Sequence, residues 1–112
     1  MAPISYDDFA KVDLRSGTIT KAEAFPKARK AAYKVWVDFG PELGIKQTSA
    51  QITVHYTPDK LVGKKVIGCV NLGPRNIAGF ISEFLLVGFA DAQEAIVLAT
   101  TTQDVPNGQK LH

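Results

Sequence analysis

The sequence predicts an all-β protein built as a small closed barrel, and three observations lead there. β-type stretches recur along most of the chain with turn residues between them. The first stretch is long and carries a glycine, and a proline-led helical turn interrupts the series after the third. Short strands in series make a barrel or a sandwich, and a helix between strands three and four is the common middle connection of a five-stranded OB-fold barrel. A small sandwich is the alternative that the same pattern allows.

A short N-terminal helix comes first. Ser5 is a good N-cap, Asp8 stands at the capping-box position, and Ile4 and Phe9 fill the staple positions. Asp7 and Asp8 suit the positive end of the helix dipole. Tyr6, Phe9 and Ala10 share a face, so this reads as a packing helix. Leu14 to Phe25 is the long first strand, with Gly17 where a bulge or sharp coil fits, and Pro26 ends it. The basic stretch to Ala32 is a loop. Tyr33 to Phe39 is the second strand, with Tyr33, Val35, Val37 and Phe39 on one face and Lys34, Trp36 and Asp38 on the other. Gly40-Pro41 is a turn, and Ile45 to Ala50 is a third strand. Thr57 caps a helical turn with Pro58 at its first position. Lys64 to Leu72 is the fourth strand, Gly73-Pro74 a turn, and Gly79 to Phe89 the fifth. Ala95 to Thr100 is a C-terminal extension strand, and Val105 to Gly108 makes a final turn. No repeat or linker occurs, and 112 residues fit a single domain over 1–112.

Composition excludes several classes. Unbroken apolar stretches such as Phe84 to Val87 and Ala95 to Ala99 are far below the roughly 20 residues of a membrane-spanning helix. The N-terminus has neither a basic nor an apolar signal region, and Cys69 alone forms no internal disulfide and reads as a buried thiol. A cytoplasmic, soluble protein is expected. His55, His112 and Cys69 do not make a metal-ligand spacing, no phosphate-binding glycine loop is present, and no nucleophile pairs with a base. Neither enzyme activity nor a cofactor is expected.

Binding is better supported. The net charge of +2 hides an uneven distribution: residues 1–20 carry −1, residues 21–65 carry +5 and residues 66–112 carry −2. Lys27, Arg29, Lys30 and Lys34 form a cluster without an acid, which reads either as a solvated loop or as a site for a polyanion or an acidic peptide. Trp36 shares the Lys34 face, so it lies outside the barrel beside a cation, or else under the N-terminal helix. Both faces of Gly79 to Phe89 are largely apolar, which a barrel wall facing water does not tolerate. Another element, a second subunit or a ligand must cover it, and a homodimer is the economical answer. Glu83 among these apolar neighbours needs a partner, with Arg15, Lys34 and Arg75 as candidates.

Asp13-Leu14-Arg15-Ser16-Gly17-Thr18-Ile19, Asn71-Leu72-Gly73-Pro74-Arg75, Gly79 and Ser82-Glu83, at these spacings, resemble the tRNA-binding domain family over nearly the whole chain. Phe25-Pro26-Lys27-Ala28-Arg29, Asp38-Phe39-Gly40, residues 44–52, residues 74–80 and Val105-Pro106-Asn107-Gly108 are similar to its export-related chaperone branch. The chain departs from the RNA-binding branch, where the first loop reads His-Pro-x-Ala-Asp-Lys-Leu: Phe25 replaces the His, Arg29 the Asp and Ala31 the Leu. Phe84-Leu85 likewise replaces the Gly-Met that follows Ser-Glu in that branch. The resemblance implies an OB-fold homodimer that binds unfolded precursor proteins for the Sec translocase without ATP. The alternative that it implies is a tRNA-binding module. Trp36, Phe80 and Phe84 would supply contact area and Lys27, Arg29, Lys30, Lys34 and Arg75 a cationic ring, with Ser82 beside them.

Overall fold

The Ser5 hydroxyl accepts the Asp8 amide at 3.1 Å and starts helix α1 (Tyr6–Ala10), as the capping pattern predicts. The computed structural model describes residues 1–112. The helix does not pack as expected, because none of its residues is buried. Ile4 is 71% and Tyr6 73% exposed, so the apolar side of this segment stands on the surface.

Strand β1 (Leu14–Ala24) serves two neighbours. Its first half, Leu14 to Thr18, pairs with β4 (Lys65–Cys69), and its second half, from Thr18 on, pairs with β2 (Tyr33–Asp38). The bulge that bends it lies between Ile19 and Lys21, not at Gly17. Gly17 has another job: a Cβ there would sit 2.5 Å from Val37 Cγ1 and 3.0 Å from Phe39 Cδ1, so the strands cross closely only over a glycine. Along β2 the predicted parity holds. Val35, Val37 and the following Phe39 are fully buried, whereas Lys34, Trp36 and Asp38 are only partly covered. Gly40-Pro41 is not a simple turn but the start of a single helical turn, α2 (Gly40–Leu43). Strand β3 (Ile45–Ala50) then pairs with β2 along its whole length. Helix α3 (Pro58–Leu61) follows Thr57 as predicted, although the Thr57 side chain makes no capping hydrogen bond, and delivers Leu61 fully buried into the core.

The last third departs most from expectation. The stretch Gly79 to Phe89 is not one strand. Its pieces are β6 (Phe80–Ser82), which pairs with β5 (Arg75–Ile77), β7 (Leu85–Leu86), which pairs with β4, and β8 (Gly88–Ala90), which pairs with β9 (Ile96–Leu98). Breaking the strand does not cover the second apolar face: Phe84 and Leu86, which share one parity, turn inward. Ile81, Leu85 and Phe89 remain on the surface, Phe89 at 75% exposure. The sheet order β3-β2-β1-β4-β7 makes a nearly closed five-stranded antiparallel barrel of the OB type. Phe39 stands edge-on to Phe84 at its centre, with ring centroids 4.9 Å apart. Cys69 is buried, as its apolar setting predicts.

The C-terminal segment is strapped along the free edge of β1. The Ser16 amide donates to Gln109, the Gly108 amide to Ser16 and the Leu111 amide to Leu14. Side chains reinforce the strap: the Ser16 hydroxyl donates to the Pro106 carbonyl at 2.8 Å, and Thr18 and Lys65 both donate to Asn107 Oδ1. Gly40 and Gly108, at φ +91° and +92°, lie back to back where the strap meets the end of β2. A Cβ on Gly108 would come 2.6 Å from the Phe39 carbonyl.

Candidate functional site

A groove of about 850 Å³ runs between the 25–32 loop, β3 and the β5–β6 hairpin. Its floor is apolar, formed by Ala50, Ile52, Phe84 and Leu86, all buried members of the core. Arg29 and Lys30 reach it from the loop and Arg75 from β5; all three are exposed, and no carboxylate lines the groove. The arrangement suits an apolar ligand with negative charge at its edges.

The residues singled out from the sequence separate into two groups. Arg29, Lys30, Arg75, Ser82 and Phe84 line the groove. Ser82 is half-buried and its hydroxyl accepts the Ser49 amide at 2.9 Å, which ties the hairpin to β3. Phe84, at 4% exposure, is floor and core, so it is corrected from a surface contact to a packing residue. The second group lies outside the groove. Phe80 stands edge-on to Trp36 at 5.8 Å and to Phe25 at 5.5 Å, while Lys34 Nζ sits 4.9 Å from the Phe25 ring and 5.0 Å from that of Phe80. Lys21 covers Trp36 at 4.6 Å. The cover over Trp36 is therefore the β5–β6 hairpin and Lys21, and not the N-terminal helix. Lys27 is exposed on the loop and does not line the groove.

Glu83 has none of the cationic partners proposed for it. Its Oε1 accepts the Gln47 amide at 3.0 Å. Arg15 instead donates to Asp13 at 2.6 Å and to the Gly108 carbonyl at 3.0 Å, and the bond to Asp13 raises its pKa. Gln51, Ile52 and Leu86 line the groove without having been singled out. Their composition carries no signal, because their role depends on which strand edge remains open.

His55 lies on the surface, where Nε2 donates to the Asp91 carboxylate at 2.6 Å. Asp91 also accepts the Ala95 and Gln93 amides, each at 2.9 Å, and so shapes the turn between β8 and β9. The Ala95 bond first, and the His55 bond next, hold its pKa below the ordinary carboxylate value. A carboxyl group lowered on folding supports the fold above its unfolded pKa and loses that support as pH falls through the lower folded value. Protection of the β8–β9 hairpin amides, relative to their intrinsic exchange at each pH, is therefore expected to fall below about pH 4. Asp91→Asn should show the lower protection already at neutral pH and lose no more of it through this group on acidification. Equal exchange in both proteins at pH 7 would contradict this assignment.

No three His, Cys, Asp or Glu side chains converge as a metal site. Residues 14–110 match the family model described as "Putative tRNA binding domain". The methionine--tRNA ligase of Methanocorpusculum labreanum is 42% identical over 97% of this chain, which spans 15% of that ligase's length. Two solved structures align over their whole length. The chaperone CsaA of Bacillus anthracis is 43% identical over 99% of this chain, with a TM-score of 0.92. The CsaA chaperone protein of Picrophilus torridus is 41% identical over 98%, with a TM-score of 0.91.

Proposed function

The chain belongs to the tRNA-binding domain family, and from that premise we propose that it is an ATP-independent chaperone which holds unfolded precursor polypeptides for Sec-dependent export. The observation that carries this reading is the groove, with its apolar floor and cationic rim, in a chain so similar throughout to two CsaA chaperones. Arg29, Lys30, Arg75 and Ser82 contact the polypeptide over the Phe84 floor, and Lys27, Lys34, Trp36 and Phe80 extend the surface beyond it. The protein acts in the cytoplasm as one OB-type domain over 1–112, assembled as a homodimer. The exposed apolar side chains Ile4, Tyr6, Leu85 and Phe89 support a second copy as their cover. Binding an unfolded chain keeps it unfolded by mass action and needs no nucleotide.

The purified protein is expected to suppress aggregation of a chemically denatured protein on dilution, equally with and without ATP. Light scattering that is unchanged at a several-fold molar excess would overturn the proposal.

The family model and the free cations on the rim favour a second reading, a tRNA-binding module. It requires tRNA affinity that falls steeply with salt, since each phosphate contact releases counterions. Binding that is absent at low salt would remove it.

A further inference from the structure

We infer that the groove receives its polypeptide as an added β-strand laid between β3 and β7, with apolar residues facing inward and acidic residues alternating outward. This rests on the peptide-binding reading and specifies the form in which the peptide is held.

Strands β3 and β7 are the two outer members of the five-stranded sheet, so they must meet if the barrel is to close. Hydrogen bonds join them at one end only, through the residues that lead into β7. There the Glu83 amide donates to the Gln47 carbonyl at 2.8 Å, and the Gln47 amide donates to Glu83 Oε1 at 3.0 Å. The Ser49 amide donates to Ser82 Oγ at 2.9 Å, and Thr48 Oγ1 donates to the Phe84 carbonyl at 2.7 Å. Three of these bonds use a side chain where a ladder uses main chain. Beyond this clasp no main-chain hydrogen bond joins the two strands. Their Cα atoms lie within 8 Å of each other, so an added strand must part them by a few ångström. Residues 49–52 then line one wall of the groove and residues 85–88 the other.

Main-chain groups are left over on both walls. Gln51 makes no main-chain hydrogen bond and lies just past the last β3 pairing with β2, Ala50 opposite Tyr33. On the other wall Val87 is committed, since its amide donates to Ile67 and its carbonyl accepts from Ala99. Successive residues of a strand turn their polar groups to opposite edges, so the amide and carbonyl of the adjacent Leu86 face the groove. The Phe84 carbonyl, two residues earlier, already points this way to meet Thr48. An extended chain offers an amide and a carbonyl to each edge in turn, which is what two facing unpaired edges require.

Side chains of the added strand meet two environments at period two. Inward positions face Ala50, Ile52, Phe84 and Leu86, and outward positions lie near Arg29, Lys30 and Arg75 with no acid among them. Alternation of apolar and acidic residues is the complement of this slot. Segments with lysine or arginine at the outward positions are repelled, so the groove discriminates against the basic start of an export signal.

The test uses the full-length protein and a short fluorescent peptide alternating Leu or Val with Glu. Two controls accompany it: the same peptide N-methylated on its central amides, and a scramble with the apolar and acidic residues in separate blocks. N-methylation removes donors while keeping the side chains, and is expected to weaken binding about tenfold or more. The scramble should weaken it similarly. Hydrogen exchange at the Gln51 and Leu86 amides should slow on binding the parent peptide. Gln51→Pro, which removes one donor at an exposed position, should weaken the parent peptide with little change in melting temperature. Equal affinity for all three peptides, or unchanged exchange at both amides, overturns strand addition while unfolded proteins still bind. Binding of no unfolded chain at all overturns the chaperone reading as well. Slowing of these amides by tRNA and not by the peptide assigns the groove to RNA and overturns the inference.

Discussion

Phe39→Ala is expected to cost about 3–5 kcal/mol, the usual range for removing a fully buried phenylalanine. Phe39 has no exposed surface and packs edge-on against Phe84 at 4.9 Å. Its other neighbours include two glycines: a Cβ on Gly68 would lie 2.7 Å from Phe39 Cζ, and one on Gly17 3.0 Å from Cδ1. Glycines have no side chain to swing into a vacated space, so the cavity stays open and the loss falls at the upper end of the range. Against a typical stability of about 5–15 kcal/mol, a thermal melt should drop by roughly 10–20 °C. A drop below about 5 °C would show that the strands close over the gap.

Reversing the rim by combining Arg29→Glu, Lys30→Glu and Arg75→Glu should reverse the groove's charge preference with the fold intact. All three residues are exposed and none forms an ion pair. At low salt an alternating apolar–acidic peptide should bind about tenfold or more weakly to the variant, and the two proteins should converge near 1 M salt, where the screening length is about 3 Å. Any tRNA binding should lose about two to three units of its log–log salt slope if these cations sit on phosphates. Unaltered peptide affinity at low salt would remove the rim from the site.

The parts of the molecule that depend on neighbours in sequence were legible from it. Ser5 with Asp8 marks a helix start, and the alternation from Tyr33 to Phe39 reveals the barrel face, because each signal is set within a few residues. The cationic cluster of Lys27, Arg29, Lys30 and Lys34 was equally plain, though only Arg29 and Lys30 reach the groove. What escaped depends on distant partners. Gly79 to Phe89 reads as one strand because its residues suit β structure throughout, yet β5, β4 and β9 claim successive pieces of it. Phe84 looks like any other aromatic of that run until the break at Glu83 turns it toward Phe39. The groove wall at Gln51 and Leu86 is invisible in composition, since its chemistry is that of main-chain groups left without a ladder.

The strap on β1 has a kinetic consequence. Leu14 and Ser16 are held on one edge by β4 and on the other by residues 108–111, more than ninety positions away. Closing so long a loop carries an entropic cost that must be met before its contacts repay it, and topologies rich in such pairings fold slowly. The β1-β2-β3 meander, made of sequential neighbours, can form early, whereas the seal over Ser16 belongs among the last events. Until then the front of β1 offers bare amides and carbonyls to any passing strand. The chain thus goes through a brief hazard of the kind it is proposed to relieve in others.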